Sequence, residues 1–154
     1  TSDPANIIYA REVDEMIENL NLIDHVRWTG FVDNQAVSGY LMASDLIALP
    51  YRDGVSFRRG SLMAALAHGC TIVTTNPIDE LPELVGDVHV RLVPPDSPTA
   101  LAIALEDLAD NPDLCAQMGR NARQLAAEFT WERIAAQTAD YYRELIEQPQ
   151  PQQP

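Results

Sequence analysis

Residues 45–75 read DLIALPYRDGVSFRRGSLMAALAHGCTIVTT. Two short, continuously apolar runs, LIALP and CTIVTT, flank a polar loop and a stretch of small apolar residues that Gly69 closes. A run that is apolar on both faces suits a strand covered from both sides, as in a parallel sheet. The intervening SLMAALAH suits a helix packed closely on that sheet, with glycine as its C-terminal stop. Strand, loop, helix, strand is the βαβ unit of a doubly wound α/β fold.

Outward from this unit the pattern repeats. HVRWTGFV, from His25, is expected to give a short strand ending at Gly30, and VHVRLVPP from Val88 to Pro95 another, giving about four strands with helices on both faces. PANIIYAREVDEMIENLNL, from Pro4, has helical spacing that brings Ile7, Ile8, Val13, Ile17 and Leu20 near one face. NQAVSGYLMAS, from Asn34, reads as a helix capped by Asp33 or Asn34. Three more helices follow Ser97, Asn111 or Asp113, and Thr130, with Pro98 and Pro112 in first-turn positions. One domain is expected over residues 1–147, and the low-complexity residues 148–154 are expected to be disordered. The chain opens on a helix, whereas doubly wound nucleotide domains begin on strands. An N-terminal part is therefore expected to lie outside this sequence.

The chain of 154 residues carries a net charge of −13, with ten basic residues, all arginine. Such a surface repels nucleic acid and anionic lipid. No apolar run reaches the roughly 20 residues that span a bilayer, and a cytoplasmic location is expected. The two cysteines, Cys70 and Cys115, lack paired spacing and read as free buried thiols. His25, His68 and His89 are scattered, with no metal-ligand spacing. His68, just before Gly69, is expected to bond a helix carbonyl. Trp28 and Trp131 are expected in the core.

Ligands of open α/β sheets sit beyond the carboxyl ends of the strands. The loop Asp53–Ser61 starts there and leads into a helix N-terminus, whose unpaired N–H groups favour phosphate. Gly54 and Gly60 allow close approach of backbone to ligand. Arg58 and Arg59 supply guanidinium donors for phosphoryl oxygens, and Ser61 caps the helix or bonds the ligand. Read blandly, the arginines are solvated charges that balance nearby carboxylates. Tyr51 could border the site. Glu80 and Glu83 could meet sugar hydroxyls, and Tyr9 or Arg11 could reach the pocket; for each of these the plainer reading is a solvated surface residue.

A wider pattern is carried by VRWTGFVDNQAVSGYLMASDLIALPYRDGVSFRRGSLMAALAHGCTIVTTN and by the closing FTWERIAAQTADYYREL. Over roughly residues 5–147 the chain resembles the C-terminal half of group 1 (family 4) glycosyltransferases, which have the two-domain GT-B fold. The resemblance implies an incomplete C-terminal GT-B domain that binds a nucleotide-diphosphate sugar donor, in an enzyme that transfers the sugar with retention to a glycan or lipid-linked acceptor. It implies no bound metal, and no cofactor is expected. It assigns Ser56 to Ser61 to the donor sugar and diphosphate, and Gly30, Phe31 and Val32 to the neighbourhood of the base. The family motif carries one glutamate before the glycines and one in the helix, and Ser56 and Ala64 stand at those positions. Asp53 is the nearest carboxylate that could substitute. The family's basic diphosphate contacts lie upstream of Thr1, so Arg58 and Arg59 are expected to provide the positive charge. This chain alone is expected to be inactive, with peripheral membrane contact through the part not present and homodimerisation both open. An alternative is a non-catalytic nucleotide-binding or assembly module of the same fold. A receiver domain is set aside, since it wants a lysine.

Overall fold

A computed structural model describes residues 4–147; the tail 148–154, expected to be disordered, lies outside the described residues. The chain divides into two compact units at Asn34/Gln35, where the sequence suggested a single domain over 1–147.

In the first unit, helix α1 spans Pro4–Asn19. The face foreseen for it is only partly covered: Val13 and Ile17 are half-buried, while Ile7, Ile8 and Leu20 are exposed. The strand expected from His25 to Gly30 is absent, and this segment is turn and irregular backbone. An alternating run becomes a strand only when a neighbour takes its N–H and C=O groups, and no described strand pairs with it. Trp28 is 69% exposed, a correction to its expected core position.

The second unit is a three-stranded parallel sheet in the order β1 (Ile47–Leu49), β2 (Ile72–Thr75), β3 (Arg91–Val93). Ile47 pairs with Ile72, and Val73 with Arg91. Helix α2 (Asn34–Ala43) leads into β1, α3 (Gly60–His68) crosses from β1 to β2, and α4 (Pro98–Ala109), α5 (Pro112–Ala126) and α6 (Trp131–Glu147) follow β3. The fold is thus α/β with a parallel sheet flanked by helices, with one strand fewer than expected.

Alternation along β2 sorts the core. Ile72 joins Leu62, Ala65 and Leu66 of α3 in one cluster, and Val73 joins Ala104 and Leu108 of α4 in another. Every residue of β2 is buried, as a central strand covered on both faces requires. Helix α5 serves both clusters, through Met118 on one side and Ala122 and Leu125 on the other. Helices α3 and α5 touch backbone to backbone. A Cβ on Gly119 would lie 2.3 Å from the Gly69 carbonyl oxygen, and Gly69 itself ends α3 at φ +70°. Helix α6 buries none of its residues, and Trp131 on it is 82% exposed, a second correction. Its apolar side chains have helical spacing, but no described element covers them.

Candidate functional site

The site begins where β1 ends. Thr74 donates through Oγ1 to the Leu49 carbonyl (2.8 Å) and Thr75 to that of Tyr51 (2.7 Å). These two buried hydroxyls are satisfied only if the chain leaving β1 stays beside β2, so they fix the start of the loop. Gly54 follows at φ +74°. A Cβ there would lie 2.7 Å from the Asn76 carbonyl oxygen and 3.0 Å from the Ile78 nitrogen. Its role is therefore to bring this loop against the segment after β2, in place of the ligand approach expected for it.

The next four residues, Val-Ser-Phe-Arg, alternate apolar and polar, and the alternation governs what is anchored. Val55 is 2% exposed and joins the α3-side core. Phe57 packs on the same cluster, its ring centroid 4.4 Å from that of Phe129 in the turn before α6. Ser56 is half-buried between them, and Arg58 is exposed. Arg59 ion-pairs with Asp53, and its guanidinium lies 4.8 Å from the Tyr51 ring centroid, a cation–π distance. The Tyr51 hydroxyl in turn hydrogen-bonds Ser61 Oγ at 2.6 Å. Tyr51, which the sequence suggested could border the site, is seen here as a brace for the loop.

Helix α3 begins at Gly60 with no side-chain cap. Ser61, expected at the cap, is already inside the first turn and faces Tyr51 instead. The Met63 N–H to Arg59 carbonyl bond (3.1 Å) is the first of the helix, so the N–H groups of Gly60, Ser61 and Leu62 precede its ladder. Nothing lies within 4 Å of where a Gly60 Cβ would stand, so the mouth of the helix is open on that side.

Beside this mouth lies a cavity of about 360 Å³ lined by Asp53, Val55, Ser56, Phe57, Arg58, Arg59, Ile78, Asp79 and Leu81. The two arginines differ there. Asp53 is ion-paired with Arg59, while Arg58 has no ion pair among the described residues. The sequence singled out Glu80 and Glu83, but the carboxylate that joins Asp53 in the cavity lining is that of Asp79, and among the described residues Asp79 has no ion pair either. The approach of Gly54 to Asn76 and Ile78 sets the segment that carries Asp79 beside the loop. Gly30 (φ +61°), Phe31 (fully exposed) and Val32 belong to the first unit, and the loop site is built from the second unit alone. Among the described residues no group of three or more His, Cys, Asp or Glu side chains could hold a metal ion, and no helix is long and apolar enough to cross a membrane.

Residues 9–125 match the family described as glycosyl transferases group 1. A D-inositol 3-phosphate glycosyltransferase of Streptomyces coelicolor is 34% identical over 137 residues, which are 88% of this chain and 29% of that protein. An MMP alpha-(1->4)-mannosyltransferase of Mycolicibacterium hassiacum is 29% identical, over 86% of this chain and 32% of that one. The chain thus spans about a third of the length of the curated relatives it matches. Among solved structures, a sucrose-phosphate synthase from Thermosynechococcus elongatus superposes with a TM-score of 0.75 at 26% identity, covering 88% of this chain and 34% of that one. HepE from Anabaena, solved with UDP, superposes with a TM-score of 0.82 at 20% identity, over 92% of this chain and 38% of that one, a likeness of fold.

Proposed function

The chain belongs to the group 1 glycosyl transferases, and from that premise we propose that it is the donor-binding part of an enzyme that takes a nucleotide-diphosphate sugar and passes the glycosyl group, with retention, to a glycan or lipid-linked acceptor. The observation that carries this reading is the open N-terminus of α3 beside Arg58, which has no ion pair among the described residues, at the carboxyl end of a parallel sheet. Diphosphate oxygens accept from the N–H groups of Gly60 and Ser61 and from the Arg58 guanidinium. As the bond between the anomeric carbon and the diphosphate breaks, negative charge grows on the leaving oxygen. Donors already fixed in place stabilise it without reorganising. Val55, Phe57 and the Asp53–Arg59–Tyr51 brace hold the loop in that geometry. Asp79 and the Ser56 hydroxyl accept from sugar hydroxyls. Uridine is a reasonable base to try first, since HepE was solved with UDP and with UDP-glucose.

The replacement of both family glutamates, by Ser56 and Ala64, supports a second reading: a module that binds the nucleotide without catalysing transfer. A thermal-shift screen against UDP, GDP and their sugar conjugates tests the binding common to both. A ligand present at 100 times its dissociation constant adds about 2.7 kcal/mol of apparent stability. A shift with one nucleotide family supports donor binding, and none with any of them rejects it. Release of UDP from UDP-glucose by the full-length protein then separates enzyme from module.

A further inference from the structure

The arginines of the second unit divide into two groups. Arg52, Arg59, Arg91, Arg133 and Arg143 are each ion-paired with aspartate or glutamate. Among the described residues Arg58, Arg120 and Arg123 have no ion pair, on a chain that carries 23 acidic residues. Arg58 stands at the loop site. Arg120 and Arg123 stand three residues apart on α5, so they share a face, and both line a second cavity of about 310 Å³. This cavity lies at the other end of the sheet. Asp45 and Thr71 in its wall precede β1 and β2, whereas the loop site is built from residues that follow them.

Most polar groups around this cavity are already occupied. Thr71 Oγ1 donates to the Cys115 carbonyl (3.0 Å), and Ser44 Oγ to the Tyr40 carbonyl (2.8 Å). His68 Nδ1 bonds the Ala64 carbonyl (2.8 Å), as its position before Gly69 suggested; that oxygen can only accept, so Nδ1 donates, and on the neutral ring Nε2 accepts from Ser38 (2.7 Å). The N–H groups of Gly69 and Cys70 bond two of the four terminal carbonyls of α3, at Leu66 (2.9 Å) and Ala65 (3.0 Å). Among the described residues, two guanidiniums and the Asp45 carboxylate of this cavity have no hydrogen bond or ion pair. They line one cavity, yet none of the arginine nitrogens comes within 4.0 Å of that carboxylate. A ligand that satisfies all three must present an anion on one side and a hydrogen-bond donor on the other.

We propose that this cavity binds a small phosphorylated polyol, its phosphate between Arg120 and Arg123 and a hydroxyl donating to Asp45. Guanidinium forks match phosphate oxygens in geometry and charge, and the volume falls at the lower end of small-molecule sites. The proposal stands independently of the donor reading.

The test is an NMR titration of the ¹⁵N-labelled protein with glycerol 3-phosphate, inorganic phosphate and glycerol at constant ionic strength. Both phosphates should shift the Thr71, Cys115 and Arg123 amides saturably, with half-saturation at or below about 1 mM, and Arg58→Ala should leave this unchanged. Arg120→Gln with Arg123→Gln should weaken both phosphates about tenfold or more. Asp45→Asn should weaken glycerol 3-phosphate and spare inorganic phosphate. One further readout needs no variant: glycerol 3-phosphate should slow alkylation of Cys115, which lines the cavity. The proposal is overturned if no saturable shift occurs, if chloride acts equally well, if the double variant binds as tightly, or if only vesicles containing phosphatidic acid bind.

Discussion

Gly54 and Gly60 bracket the loop and do different work. At Gly54 both the positive φ and the 2.7 Å approach to the Asn76 carbonyl oxygen oppose a side chain. Gly54→Ala should therefore cost about 1–3 kcal/mol, read as a lower urea midpoint with an unchanged slope. Gly60 has open space and an ordinary backbone at the first position of α3. Gly60→Ala should leave the urea midpoint level or raised while weakening nucleotide binding several-fold, because the methyl enters the space reserved for the diphosphate. Equal loss of stability in both variants would contradict this assignment. The sequence marks both glycines as punctuation and Arg58 and Arg59 as the cations of the loop. It does not reveal that Asp53 takes one of those cations, nor that Asp79 joins the site from a different loop. Those facts depend on how the loop folds back on itself, pairing Asp53 with Arg59, and on the close approach of Gly54 to Asn76.

Among the elements, β1–α3–β2 was legible because each part carries its own signal: continuous apolar strands, small residues in the helix, a terminal glycine. The expected strand from His25 to Gly30 was not, since alternation licenses a strand only when a neighbour is there to pair with it. The contact of α3 with α5 is equally hidden, because Gly119 looks like a weak residue inside a helix. In isolation, Gly119→Ala would favour the helix by about 1 kcal/mol. Here the new Cβ would stand 2.3 Å from the Gly69 oxygen, so the helices must separate and the net change should be a loss of about 1–3 kcal/mol. Thermal or urea denaturation reads the sign directly, and a gain would show that the two backbones are not so close.

Over the whole molecule, apolar surface is left uncovered where the sequence pattern suggested burial. Trp28 and Trp131, one in each unit, are both exposed, as are Tyr142 and Ile146 on α6. The tryptophan emission of this chain should accordingly lie close to that of the urea-unfolded chain and be quenched freely by acrylamide. A strong blue shift with protection from quenching would mean that something covers them, a second copy of the chain being the simplest candidate. That uncovered surface sits on a molecule whose net charge is −13, so the proposed function requires locally placed cationic donors, and it puts the nucleotide diphosphate at the mouth of α3 beside Arg58. The most direct test is a calorimetric titration of UDP into the wild-type protein and into Arg58→Ala. The account predicts saturable binding that weakens about tenfold or more in the variant, the worth of one charged hydrogen bond, with no change in melting temperature. Equal affinity in the two proteins would contradict it.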